Sequence, residues 1–318
     1  MPTNRLDLTW TDATWTLIQL AIHDEAARSR IARKFLPLQT PADATTISAD
    51  SIRVNGHGVV PGIELRTQTT DIVELAVNVY LTTQESAEAD AHSAVSLVTY
   101  AANLIANAED QLIFRGQEAV DHSPIFQTVR VDRGAPGPGL LNAPGVGSVR
   151  VRRDGHGAFT ETIYPRVAEA CAELQAHHAG RLALVLPTRI YPDTFAVIPE
   201  TPKTPKDLIG ALVEDRFYAS SALPADRGLM VALDGNTMDL VVTVDANATF
   251  LQVDARGRFD MSVSERLALR LKDPSAVVRL EFAAAAVEAG AAGTSVPEAV
   301  GEEAESRRRN GRRAVTTR

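Results

Sequence analysis

The sequence predicts an α+β protein of long amphipathic helices and alternating strands, in which one stretch of extended chain outruns a single compact body. Apolar residues recur at helical spacing from Trp15 to Ile22 and again from Ala91 to Leu112. Side chains alternate with a period of two from Ile63 to Val79 and from Met261 to Leu271. The chain has 318 residues, 45% hydrophobic and 23% charged, enough apolar content for a sizeable core and two lobes.

Composition narrows the function classes. A formal charge of -8 opposes general nucleic-acid affinity, because phosphate contacts need clustered Lys and Arg. The one basic cluster is Arg307, Arg308, Arg309, Arg312, Arg313 and Arg318, close to Glu302, Glu303 and Glu305. It reads as a solvated tail, with nucleic-acid contact as the alternative. No apolar run approaches the roughly 18 residues that cross a bilayer. The segment Met1 to Trp10 lacks a basic region followed by an apolar core, so the expected location is the cytoplasm, with no membrane partner. Cys171 stands alone, which excludes an internal disulfide, and it reads as a small buried side chain among alanines.

A first helix is expected from Thr9 to Asp12, a pair that resembles a capping box, as far as about Phe35. Trp15, Ile18 and Ile22 form its stripe, Arg28, Arg30, Arg33 and Lys34 suit its C-terminus, and Pro37 stops it. The chain from Ile47 to Tyr80 is extended. Asn55-Gly56 between β-branched runs signals a tight hairpin turn. Beyond it Ile63, Leu65, Thr67, Thr69, Val73, Leu75, Val77 and Val79 alternate with Glu64, Arg66, Gln68, Glu74 and Asn78. About eighteen residues at about 3.3 Å each reach about 60 Å, against a radius of gyration of about 20 Å for a compact chain of this length. A two-stranded ribbon is marginal alone in water, and a neighbouring copy of the chain is the economical surface for it. The alternative is a break near Asp71 that makes two ordinary strands of one sheet.

A long helix is expected from Ser86, as its cap, to Phe114, with Ala91, Val95, Val98, Ala102, Ile105, Ala108 and Leu112 on one face and Gly116 as its stop. Gly134 to Gly147 is a Gly/Pro loop that lacks the third glycine and the Lys-Ser/Thr step of a phosphate-binding turn. Tyr164 to His178 reads as helix, Arg181 to Leu186 as a buried strand and Tyr191 to Pro205 as a proline-rich loop. Strands follow at Leu229 to Leu233, Met238 to Val244 and Thr249 to Val253. In Arg258 to Leu271, Met261, Val263, Leu267, Leu269 and Leu271 face one side, with Asp260, Ser262, Ser264, Arg266 and Arg270 on the other. Ala276 to Phe282 adds a short strand, and Ala283 to Arg318 reads as a mobile tail.

The chemistry-bearing residues do not assemble into a motif. The seven histidines fall at no metal-ligand spacing, no nucleophile elbow is present, and Cys171 has no neighbouring base. Neither catalysis nor a metal is expected, although a triad built from distant residues stays open.

Several segments resemble, in order, those of the encapsulins, shell proteins with the tailed-phage major capsid fold. Ala32-Arg33-Lys34-Phe35-Leu36 is similar to the stretch after the family's first helix. Ile63-Glu64-Leu65-Arg66 with Asp71-Ile72-Val73-Glu74-Leu75 resembles the outgoing arm of its extended loop. Glu109-Asp110-Gln111-Leu112-Ile113-Phe114-Arg115-Gly116, the most specific segment, resembles the end of its spine helix. Gly139-Leu140-Leu141-Asn142 is similar to the turn that follows, and Met238 to Asp245 with Ser264 to Phe282 to the closing strands.

The resemblance implies an N-terminal helix and linker (1-44), an extended loop (45-80), a peripheral domain with the spine helix (81-147), an axial domain (148-235), closing strands of the peripheral domain (236-282) and a flexible C-terminal tail (283-318). It implies many copies in a cytoplasmic icosahedral shell that encloses a peroxidase or a ferritin-like iron protein through a short C-terminal peptide of that cargo. A prophage capsid that packages DNA is the alternative. By the same resemblance Ile18, Ile22, Arg33, Phe35 and Leu36 are the candidate docking residues, with plain core packing of Ile18 and Ile22 as the competing reading. Some family members hold a flavin against an aromatic residue of the extended loop; Val73 stands at that place, so no cofactor is expected.

Overall fold

The fold is described by a computed structural model at residues 10-41, 44-48, 50-55, 62-66 and 68-283. Thr9, Gly56, Thr67 and the acidic and arginine-rich segment after Ala283, each part of an expectation above, lie outside the described residues.

Two five-stranded sheets organise the body. The first runs Leu38–Gln39, Met238–Val253, Phe259–Leu271, Val73–Leu81 and Arg130–Arg133 across its width. All its pairings are antiparallel except the short edge strand Leu38–Gln39, which runs parallel to Leu240 and Val241. The second runs Phe217–Ser220, Leu182–Pro187, Arg227–Ala232, Val277–Phe282 and Gly147–Val151. Leu182–Pro187 is buried at every position, as its unbroken apolar run requires. Strands from 236–282 therefore divide between the sheets. Met238–Val253 and Phe259–Leu271 join the first, whereas Val277–Phe282 pairs with Arg227–Ala232 and Gly147–Val151 in the second. Cys171, in the helix Ile163–Gln175, is buried as expected, and burial pushes its thiol pKa up.

The long helix occupies His92–Arg115 rather than starting at Ser86. Its 24 residues span about 36 Å at about 1.5 Å each. Ala91 at φ 50° breaks it from a preceding turn of helix, Thr83–Ser86, whose cap is Thr82 in a reciprocal box with Glu85. Ser86 thus ends the short helix and caps nothing. The expected stripe is buried apart from half-buried Val95, with Val98, Ala102, Ile105 and Ala108 fully so. At its C-terminus the Gly/Pro loop performs a structural task. Leu140 N and Leu141 N donate to the Ile113 and Phe114 carbonyls at 2.9 Å, and any Cβ on Gly139 would lie 2.4 Å from Arg115 N. Gly139 admits the end of the helix at backbone contact.

The extended stretch is broken where an unbroken ribbon was expected. Val73–Leu81 lies in the first sheet, with Val73, Leu75, Val77 and Val79 buried in the predicted alternation. Before it, Thr69–Asp71 pairs only with Thr46–Ser48, and Gly62–Arg66 only with Ser51–Asn55, among the described strands. The break falls at Ile72, close to the predicted alternative at Asp71, but the two halves do not share one sheet. Ile72, on the same side as Glu74, lies on the outer face of the sheet, where it packs with Ile47, Val241 and Ala268 in a small apolar cluster separate from the main core. What leaves the body is thus an arm of two short two-stranded ladders, rooted on that cluster.

Candidate docking site at the first helix

The first helix, Asp12–Ser29, begins at Thr11, whose side-chain oxygen accepts from Thr14 N at 3.2 Å. It lies against the long helix and against Met238–Val253, and turns Trp15, Ile18, Ile22 and Ala26 inward. Gln19 clasps the strand through its amide: Nε2 donates to Ala248 O at 2.9 Å and Oε1 accepts from Ala248 N at 3.2 Å. Trp10 stacks edge-on against Trp15 at 5.3 Å and donates to Ser86 O at 2.8 Å.

The helix stops at Ser29, six residues short of Phe35, because the chain after it is drawn into a buried charged seat. Asp110 of the long helix accepts from Ile31 N at 2.8 Å and Ala32 N at 2.9 Å, which pins the short turn Ala32–Lys34. Arg30, 4% exposed, reaches Glu109 at 2.5 Å, Glu265 at 2.8 Å and Asp245 at 3.1 Å. Arg33 reaches Glu109 at 2.6 Å and Asp245 at 3.0 Å, and also pairs with Glu265. Glu265 sits in the inward register of Phe259–Leu271, between Val263 and Leu267.

Two arginines therefore face the buried carboxylates of Glu109, Asp110 and Glu265 and, at the solvent edge, that of Asp245, more negative than positive groups in one seat. Burial and then Glu109 push the Asp110 pKa up to about 7, against the pull of the Ala32 and Ile31 N–H groups. The same two causes hold Glu265 well above the ordinary carboxylate range. Burial pulls Arg30 and Arg33 down, but Glu109 and Glu265 outweigh it and hold both above the ordinary arginine value. The seat locks the helix end to both the long helix and the sheet.

Against this geometry, the five candidate docking residues fall inside the body. Ile18 and Ile22 are fully buried, Leu36 is 3% and Phe35 8% exposed, and Phe35 stacks on Tyr218 at 5.7 Å. Arg33 is committed to the charged seat. The helix instead offers its other face: Leu17 and Leu20 are 47% and 54% exposed, and an open groove runs along Asp12, Trp15, Thr16, Gln19, Leu20 and His23. Arg30, Glu109 and Glu265 escaped the sequence reading as a cluster. The one local signal was the charged residue at an inward position of an otherwise apolar strand face.

The fold is that of the tailed-phage capsid class. The crystal structure of a virus-like particle from Pyrococcus furiosus matches with a TM-score of 0.67 at 17% identity, over 85% of this chain and 100% of that one. The capsid of a native GTA particle matches with a TM-score of 0.57 at 14% identity, over 82% and 91%. Within that class the chain belongs to the encapsulin family, whose sequence profile, described as "Encapsulating protein for peroxidase", matches residues 4–268. A type 1 encapsulin shell protein, EncA of Myxococcus xanthus, is 30% identical over 192 residues, and this match spans 60% of each chain. No helix of the described residues is long and apolar enough to cross a membrane.

Proposed function

We propose that the chain is a structural subunit, without catalytic chemistry of its own, of a closed icosahedral shell in the cytoplasm that encloses a cargo enzyme. The observation that carries this reading is the arm. Ser51–Asn55 and Gly62–Arg66 are hydrogen-bonded only to each other among the described strands, and a ribbon of two strands needs a surface to lie on. A second copy of the chain supplies that surface in every direction of a closed assembly. Membership of a family described by its encapsulation of a peroxidase supports a peroxidase as cargo, with a ferritin-like iron protein as the other class.

The cargo docks, on this reading, through a short C-terminal peptide laid along the first helix. Ile18, Ile22, Phe35 and Leu36 shape the site from beneath, and Arg33 holds the turn that closes it. Leu20 and Gln19 in the groove and exposed Leu17 beside it meet the peptide itself, because a mixed groove offers both apolar contact and polar groups to an extended peptide. The capsid-type neighbours support a second reading, a prophage capsid around DNA. Electron microscopy of the purified protein, combined with mass spectrometry of co-purifying proteins and a nuclease-protection assay, separates them. Closed particles with an enzyme inside and no protected DNA are expected; particles with protected DNA favour the capsid, and a small monomer or dimer overturns both.

A further inference from the structure

The arm is joined to the body by few contacts, and one side chain stands out among them. Arg270, on the outer face of the first sheet, is fixed by two parallel hydrogen bonds to Asp239, Nε to Oδ1 at 2.8 Å and Nη2 to Oδ2 at 2.7 Å. The guanidinium still has donors to spend, and they reach off the sheet. Nη1 donates to Ser48 O at 3.2 Å, on the first strand of the arm root, and Nη2 to the Gln39 side chain at 3.1 Å. Asp239 is 2% exposed at its side chain and is also held by Lys272 at 3.0 Å, so the foundation of this bracket is rigid. The neighbouring residue pair in the same register, Val241 with Ala268, carries Ile47 and Ile72 of the arm root. On the other side Ala135 N donates to Asp71 Oδ2 at 3.2 Å, and Gly134 lies so close that a Cβ there would sit 2.4 Å from Ile72 O.

We propose that Arg270 is a positioning residue that sets the angle of the arm to the body, and through it the size of the shell. The inference rests on the shell reading above. An arginine bound bidentately to a buried carboxylate has a fixed plane, so its remaining donors define a direction rather than a general attraction. Ser48 O is held in that direction. At about 3.3 Å per residue, a chain of eight residues, the number from Ser48 to Asn55, reaches at most about 25 Å, so a rotation of roughly 10° at the root moves the far end by up to about 4 Å. That displacement exceeds a hydrogen-bond length, and a closed assembly repeats it at every identical contact, so a small angular change alters curvature. A lysine at 270 keeps the charge toward Asp239 but loses the planar fork, and cannot hold Asp239, Gln39 and Ser48 together.

The test compares the unmodified chain with Arg270→Ala and Arg270→Lys in two measurements: thermal unfolding, and particle diameter by electron microscopy and analytical ultracentrifugation. The expected result is thermal unfolding close to that of the unmodified chain, with about half or more of the protein leaving its single size class for other diameters or open pieces. If Arg270→Ala does not fold, Arg270→Lys decides. Shells of unchanged diameter and yield from the folded variants overturn the role of Arg270 while leaving the shell reading intact. Absence of shells from the unmodified chain overturns both.

Discussion

The first helix and the arm are both attached to the first sheet, and they are attached to unequal depth. The helix ends in a seat where Arg30 and Arg33 engage Glu109 and Glu265, with Arg30 and both glutamates shielded from water. The arm rests on Ile47, Ile72, Val241 and Ala268, and on one ionic bracket, Arg270 on the buried Asp239. A deep ionic lock tolerates no alternative arrangement, because any shift strands a buried charge. The arm root carries a single such bracket beside a small apolar cluster. The molecule anchors the element that would face a cargo through several buried charges and orients the element that would meet another copy through one.

The largest expected effect breaks the lock. Arg30→Ala leaves Glu109 and Glu265 short of a partner and is expected to cost about 3–5 kcal/mol of stability in chemical denaturation. A cost below about 1 kcal/mol would show that the seat is not the lock described. At the arm root, Ile72→Ala is expected to cost less than Ile105→Ala in the main core, where a large-to-small change costs about 2–5 kcal/mol. Equal losses would place the arm root in the same cooperative core as the body. Gly134→Ala, which drives a Cβ onto Ile72 O, is expected to alter assembly more than stability.

The lock also has a pH signature. Asp110, pushed up to about 7, binds a proton in the folded state that it has lost in the unfolded chain above the ordinary carboxylate range near 4. Its contribution to stability is therefore complete below about pH 4 and is lost as pH rises through about 7, and Glu265 shifts in the same sense. Stability is expected to fall between about pH 4 and about pH 7, and Asp110→Asn to flatten that slope in urea titrations at each pH. Asp245, which Arg30 and Arg33 hold below its ordinary value despite burial, acts in the opposite sense at lower pH. The smallest effect belongs to the exposed helix face. Leu20→Glu is expected to change stability by less than about 0.5 kcal/mol while reducing co-purified cargo.

Much of the fold is legible from local periodicity, because a helix stripe or an alternating strand is written in neighbouring residues. The long helix and Val73–Leu81 follow this rule, apart from the start of the helix, which depends on the left-handed turn at Ala91. Phe259–Leu271 follows it only in part, because Asp260 and Ser262 on its expected wet side are buried and Leu269 and Leu271 are only half-buried. The arm is legible only in part. Its alternation runs on through Ile72, and nothing near that residue in sequence shows that the first sheet takes the chain only from Val73 or that Val241 and Ala268, far along the chain, receive the Ile72 side chain. The docking candidates show the same limit. Ile18 and Ile22 lie on a stripe that any helix burial would use, and which face stays open depends on the strand that Gln19 clasps at Ala248. Glu265 is the clearest case: its inward register signals a buried charge, and nothing near it in sequence names Arg30 as the partner.

The central claim is that the arm of one chain is completed by another copy. A cryo-electron microscopy reconstruction of the purified protein tests it most directly. The expected map shows closed particles in which Ser51–Asn55 and Gly62–Arg66 lie across a neighbouring subunit. A map in which that ladder folds back on the sheet of its own chain, or a sample that contains only single subunits, would contradict the account.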